Sequence, residues 1–202
     1  MRTPPPALLP FLRSRVQGDL LALLFLNPDH EYSITSVAEH VSASVKAVQQ
    51  EVDRLVRAGL LSDRRFGTSR LIRSVQDSLL TRPLTDLLAV TYGPLPVLTD
   101  ALAGLDGVDE AFIYGSWASR YRGEAGSVPG DVDVLVVGNT DPDELDDRAR
   151  AAEVVLRREV NIRTVRPGTW ETNDDPFIRT VRSRPMVKLA VDGVTAERYE
   201  RT

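Results

Sequence analysis

Apolar positions recur first at helical spacing and later at strand spacing, and the change divides the sequence in two. Val16, Leu20, Leu23 and Leu24 predict a helix that opens at Ser14, where Ser14 and Gln17 have capping-box spacing, and ends at Asn27-Pro28. Ile34, Val37, Ala38 and Val41 predict a second, short helix to about His40, capped by Ser33 or Thr35. A third helix, capped by Ser42 or Ser44, runs to about Ala58 with the inward stripe Val45, Val48, Val52, Leu55 and Val56. Gly59 stands where a left-handed helix terminator belongs. Leu60-Leu61 and Leu71 to Val75 then flank the polar run Ser62 to Arg70, which predicts a hairpin with a basic tip.

The pattern from Gln76 to Leu105 is helical again, with Pro83 and Pro94 marking helix starts and a break at Tyr92-Gly93-Pro94-Leu95-Pro96. Beyond it the pattern alternates. Ala111 to Tyr114, Val132 to Val137 and Glu159 to Val165 read as strands, the second nearly all β-branched or Leu. Asp141 to Arg157 reads as a helix whose opening acids suit its N-terminal dipole. Asp175 to Arg184 reads as a further helix and Met186 to Val191 as a last strand. Three short helices followed by a basic hairpin make a winged helix-turn-helix. The stretch Ile34 to Val75 resembles bacterial winged-helix repressors, most closely in Val52-Asp-Arg-Leu-Val-Arg-Ala-Gly-Leu-Leu61 at the helix-to-wing junction. The expected organisation is α+β in two domains. It comprises a Pro-rich flexible N-terminus over 1–10, a winged helix-turn-helix over 11–78, a helical connector over 79–104, and a mixed sheet with flanking helices over 105–202.

Composition narrows this further. The chain has 202 residues, 42% of them apolar, and no cysteine, so disulfides and thiolate metal sites are excluded. The longest apolar run, Leu20 to Leu26, is far short of the ~20 residues of a membrane helix, and the Pro-rich start is unlike a signal peptide. A cytoplasmic protein without membrane contact is expected. The net charge of -4 argues against a chain coated with cations, but the charge is uneven. Between Ser44 and Arg73 stand seven basic residues, Lys46, Arg54, Arg57, Arg64, Arg65, Arg70 and Arg73, against Glu51, Asp53 and Asp63. That local excess has the footprint of a surface for double-stranded DNA. On the third helix Ser44, Lys46, Ala47, Gln49 and Gln50 are expected to face outward, where Gln pairs well with adenine. Arg64, Arg65 and Arg70 are expected to grip backbone or minor groove from the wing. The plainer alternative is solvated charge on an interaction module. Winged-helix binders mostly dock on paired half-sites, so a homodimer is expected.

The second half carries a denser motif. A strand runs into Gly115-Ser116 at the start of a helix, and a Gly-rich stretch leads to Asp131-Val132-Asp133. Backbone donors at a helix start suit a terminal phosphate, and glycine lets the backbone approach it. Alternation puts Asp131 and Asp133 on one strand face, where adjacent carboxylates repel unless a cation lies between them. Mg2+, or Mn2+, is the natural candidate, held by one or two carboxylates and substrate phosphates.

This pattern, over about Val108 to Val165, is similar to the minimal nucleotidyltransferases of the DNA polymerase beta superfamily. The resemblance implies that Gly115 and Ser116 hold a nucleoside triphosphate, ATP by preference, while Asp131 and Asp133 bind divalent metal. It also implies transfer of a nucleoside monophosphate to a hydroxyl-bearing acceptor, with Arg120 as a further phosphate contact. Two departures stand out. The interval from Ser116 to Asp131 is a few residues longer than the common family spacing, and Tyr121 to Gly130 is expected to form a flap. Where the family places a third catalytic carboxylate, this chain has Asn161, with Glu159 two residues earlier on the same face as its substitute. Three alternatives therefore stay open: a DNA-binding regulator with an active transferase domain, an antitoxin-type nucleotidyltransferase, and a catalytically silent nucleotide-sensing or dimeric interaction protein. A purely structural role for Asp131 and Asp133, ending a loop before a buried strand, is the blandest reading. His30 and His40 lack zinc-spaced partners and read as surface or packing residues, and Trp117 reads as core. Trp170 is expected near Phe177, and Arg179, Arg182, Arg184 and Lys188 read as solvated charge.

Overall fold

A computed structural model describes residues 12–124, 126–172 and 174–191, so the expected flexible segment 1–10 lies outside the described residues. The chain divides between Gly93 and Pro94 into two compact units.

The first unit begins with α1 (Arg15–Leu26). Ser14 caps it by accepting from the backbone N of Gln17 at 3.2 Å. The Gln17 side chain reaches back one residue further than a capping box requires, accepting from the backbone N of Arg13 at 3.0 Å. Every residue from Leu20 to Leu26 is buried. A helix apolar on all sides must be covered on all sides. Here α3 (Val45–Arg57), α4 (Thr81–Tyr92) and β3 (Ser69–Ser74) do so. Two of its last carbonyls, which have no partner within the helix, are met by side chains. Asn27 Nδ2 donates to Leu23 O and Ser74 Oγ donates to Leu24 O, each at 2.9 Å.

The strand β1 (Tyr32–Ser33) leads into α2 (Ile34–His40), capped by Ser33, and Ser44 caps α3. Val48, Val52 and Leu55 form the buried stripe of α3. Val45, expected on that stripe, is 47% exposed, because it opens the helix ahead of the buried residues. Glu51 is the surprise, a buried acid held at 2.7 Å by Arg54. The hairpin pairs β2 (Leu61–Phe66) with β3, and β1 joins on the other side in the antiparallel order β1-β3-β2. Its turn is only Gly67-Thr68, with Gly67 at φ +59, so the basic tip expected over Ser62 to Arg70 is mostly paired strand. These polar residues form an exposed ladder that needs no apolar alternation, which is why the pattern concealed them.

The helical stretch over 79–104 is shared out between the units. α4 packs on α1, and its Tyr92 lies so close to Gly18 that a Cβ there would stand 2.0 Å from the phenol oxygen. α5 (Pro94–Leu102) packs on α7 (Pro142–Leu156) in the second unit.

The second unit is built on a mixed sheet in the order β6-β5-β4-β7. Its strands are β4 (Val108–Tyr114), β5 (Asp131–Gly138), β6 (Glu159–Val165) and β7 (Val187–Leu189). β5 and β6 are parallel, joined through α7, and the other pairs are antiparallel. Cross-strand register defines the two faces. One is apolar, with Ala111, Ile113, Val132, Val134, Val136 and Val160, and α5, α6 (Gly115–Tyr121) and α7 lie against this sheet. The other carries a core of Leu135, Val165, Ile178 and Val181, with Trp170 and Phe177 brought in by α8 (Pro167–Thr172) and α9 (Pro176–Arg182). Trp117 is buried and Trp170 packs in the same cluster as Phe177, as their sequence surroundings indicated. Among the described residues no helix is long and apolar enough to cross a membrane.

The Ser74 hydroxyl sets the first test. Ser74→Ala leaves a buried carbonyl of α1 without its donor, which costs about 1–3 kcal/mol. Urea denaturation of the variant should show a loss in that range with an unchanged m-value.

Candidate functional site

The first unit presents a helix and a hairpin together. Ser44, Lys46, Gln49 and Gln50 are exposed on α3, and Ala47 is half-buried. The cations of the hairpin are not equivalent. Arg70 is only 22% exposed and bridges two elements, bonding Asp53 on α3 at 2.5 Å and Asp63 on β2 at 2.7 Å. Arg64 forms a forked pair with Glu31, which lies just before β1, and that hydrogen bonding holds the Glu31 carboxyl below its usual value. Arg65 is exposed and has no ion-pair partner among the described residues. Asp53 and Asp63 already stand in the count along the sequence, so Glu31 is the acid that lowers the local excess further. Glu31, Asp53 and Asp63 were the partners that sequence reading missed, and two of the contacts span 33 and 17 residues.

In the second unit the antiparallel register sets Tyr114 beside Asp133, and the parallel register sets Asn161 on its other side. Glu159 lies opposite Asp131 in the same way. All five side chains thus belong to one sheet face, at the end of β5 that receives the Gly-rich loop. Asp131 is exposed and Asp133 half-buried. Asn161 Nδ2 donates to Asp131 Oδ2 at 3.4 Å. Burial pushes the Asp133 carboxyl above its ordinary value, the charge of Asp131 adds to that, and a hydrogen bond from Asn161 opposes it. The Tyr114 phenol is also raised, by burial first and then by Asp133, with Arg163 opposing.

The corner opposite the acids is sterically defined. Gly115 sits at φ +69, and a Cβ there would stand 2.6 Å from Asp133 Oδ2. Both the backbone conformation and the neighbouring carboxylate therefore demand glycine. Ser116 follows it, exposed, and the start of α6 carries no side-chain cap, unlike α1, α2, α3, α7 and α9. Among the described residues no side chain accepts from its first backbone donors. The Arg120 guanidinium donates to the carbonyl of Gly126, and that of Arg158 to the carbonyl of Pro129, so arginines tie the loop between α6 and β5 at two points. Among the described residues no three His, Cys, Asp or Glu side chains converge on one point, so Glu159 does not join the acid pair as a third ligand. Two carboxylates suit a cation that completes its shell with ligand phosphates and water.

Beyond the acids lies an aromatic and cationic step. Tyr114 meets Phe177 edge to face at 5.8 Å, and the Arg163 guanidinium stacks 3.7 Å from the Phe177 ring centre. Alternation from Asn161 to Arg163 carried that signal in the sequence. Arg182 lies 3.8 Å over Trp170, and Lys188 pairs with Glu110, so these two cations are engaged at the surface.

No family model matches the sequence, and comparison with curated proteins gives no match. Among solved structures the chain is similar to HlyU of Vibrio cholerae, at 23% identity over 39% of this chain and 76% of that one, with a TM-score of 0.32. It is similar to the adhesin competence repressor AdcR of Streptococcus pyogenes, at 18% identity over 38% of this chain and 55% of that one, with a TM-score of 0.32. It is also similar to NolR of Sinorhizobium fredii, at 25% identity over 39% of this chain and 85% of that one, with a TM-score of 0.29.

Two outcomes follow from the acid pair. An acid with a raised pKa penalises the folded state while it is ionised, and the penalty is relieved as pH falls through the folded value. Asp133→Asn should therefore raise Tm at pH 7, with the gain shrinking as the pH is lowered through the carboxylate range. Gly115→Ala should do the reverse at every pH, because it strains the turn and displaces the carboxylate. Calorimetric scans between pH 4 and 8 separate the two.

Proposed function

We propose that the chain is a DNA-binding transcription regulator whose second unit is a minimal nucleotidyltransferase fold. In this reading α3 enters the major groove with Ser44, Lys46, Gln49 and Gln50. Arg65 contacts the flanking backbone or minor groove, Arg70 braces the wing against the helix, and Arg64 exchanges Glu31 for phosphate. The observation that supports DNA binding is the exposed polar face of α3 beside a two-stranded wing, on a three-helix core. Recognition of paired half-sites by a homodimer belongs to the same reading.

The second unit binds a nucleoside triphosphate, ATP by preference, with Mg2+ or Mn2+. The feature that carries this is Gly115, whose missing Cβ leaves room for the Asp133 carboxylate at the turn into α6. Asp131 and Asp133 would hold the cation, and the backbone donors and hydroxyl of Ser116 would take the terminal phosphates. A bound cation there would neutralise charge on the triphosphate and on the acids together. Transfer of a nucleoside monophosphate to a hydroxyl acceptor is the activity proposed for the site.

A second reading is favoured by one observation. Asn161 occupies the register position beside Asp133, and Glu159 stands opposite Asp131 without joining a three-acid cluster among the described residues. A neutral amide is a poorer partner for Mg2+ and a poor proton acceptor. A site of this kind would bind the nucleotide and report it without turning it over.

Titration calorimetry with ATP and Mg2+ should give a heat of binding in the wild type, and Asp131→Asn or Asp133→Asn should abolish it. Transfer of label from radiolabelled ATP to a cellular acceptor separates an enzyme from a sensor. For the first unit, Arg65→Ala should weaken duplex binding across all sequences. It should also lower the slope of log K against log salt by about 1, measured by anisotropy.

A further inference from the structure

Phe66 ends β2, pairs across the hairpin with Ser69 and is 69% exposed, immediately before the Gly67-Thr68 turn. A large aromatic at the tip of a basic hairpin is unfavourable in water, and at that exposure the ring adds little to the buried core of the described residues. Alternation along β2 puts Ser62, Arg64 and Phe66 on one face, while Asp63 and Arg65 share the other with Arg70. Arg64 lies 5.7 Å from the centre of the Phe66 ring and is itself forked onto Glu31. The ring therefore leans on an anchored guanidinium. Arg70 ties the same hairpin to α3 through Asp53, so the tip is carried at a set distance from the exposed face of that helix.

From this arrangement we infer that Phe66 is an apolar wedge for the minor groove of a bound DNA duplex. The inference rests on the DNA-binding reading of the first unit and adds to it the residue and the contact. The charge around the ring selects the partner. Arg64, on the ring's own face, is a cation that phosphate can recruit from Glu31, and Arg65, next in sequence, is an exposed cation on the opposite face of the same hairpin. A neutral apolar partner would leave Arg65 unmatched and offer Arg64 nothing in place of Glu31, whereas a groove lined by phosphates and floored by sugars and base edges meets both ring and cations. The minor groove is about 6 Å wide and admits a hairpin tip led by one planar side chain. Apolar side chains inserted there partly unstack base steps, most easily at flexible pyrimidine–purine steps such as TA. Phe66 thus favours duplexes with such a step flanking the site read by α3, without any hydrogen bond to a base.

The test uses the full chain and labelled duplexes of about 30 base pairs that differ only in the flank, TA steps in one and an A-tract in the other. 2-Aminopurine is placed at the flanking step. With wild type, the TA duplex should bind more tightly and its 2-aminopurine should brighten on binding. Phe66→Ala should lose about tenfold in affinity for the TA duplex, which is about 1.4 kcal/mol. It should also lose the brightening and keep the wild-type salt slope, and Phe66→Leu should retain most of both signals. Arg65→Ala, run alongside, should lower the salt slope instead. Equal binding by wild type and Phe66→Ala, or no 2-aminopurine response in wild type, overturns the wedge and leaves DNA binding standing. Failure of the wild type to bind any duplex removes the reading of the whole unit. Loss of a dimer by Phe66→Ala in sedimentation, with DNA affinity unchanged, assigns the ring to a contact between copies and overturns the wedge.

Discussion

The second unit depends on what β5 can and cannot bury. From Val134 to Gly138 the strand is buried on both faces. Its first residues alternate between a buried Val132 and two carboxylates. A strand enclosed on both sides cannot carry ionised groups, since taking a carboxylate out of water costs far more than the strand gains by pairing. The acids are therefore confined to the end where the covering layer stops. Every neighbour of the acid pair follows from that register. A slip of one residue in β6 would put Val160 or Ile162 beside Asp133 in place of Asn161, and a slip in β4 would turn Tyr114 to the other face. The glycine turn into α6 is the matching constraint on the opposite side, because any Cβ would occupy the space of the carboxylate.

The first unit solves a different problem. Its central helix is apolar around its circumference, so it is stable only when enclosed, and the enclosing elements come from before the hairpin, from its second strand and from beyond it. α4 is the last of these to be made. A truncation before Thr81 would bare the face of α1 that α4 covers, although the hairpin would be complete.

Local signals were the most legible in the sequence. Serines with the right spacing cap α1, α2 and α3, the bounds of α7 and α9 follow their Asp-Pro starts, and the two-residue period of β5 and β6 set the acids on one face. The hairpin was legible as a hairpin but not in its turn, because an exposed ladder imposes no alternation. Contacts between distant residues left no local trace. Nothing in the sequence joins Glu31 to Arg64 or Asp53 to Arg70, so cations that seem equivalent along the chain divide into pinned and exposed ones. Glu51 shows the same gap, since a charged residue within a helix reads as solvent-facing until its burial is seen. The lining of the acid site by Tyr114, Arg163 and Phe177 was not read from the sequence: strand alternation held the signal for the first two, while Phe177 arrives from α9.

Arg70 joins the two strands of the hairpin through Asp63 and ties the hairpin to α3 through Asp53, so helix and wing are coupled. On the DNA-binding reading, breaking that tie to suit a duplex would cost the Arg70–Asp53 contact, so part of any misfit would be taken up by the nucleic acid. Sequences then differ by how cheaply they deform, and part of the discrimination would come from DNA stiffness at positions that no side chain touches. The same tie orders Arg70 before any duplex arrives, so that side chain would have little conformational entropy left to lose on docking.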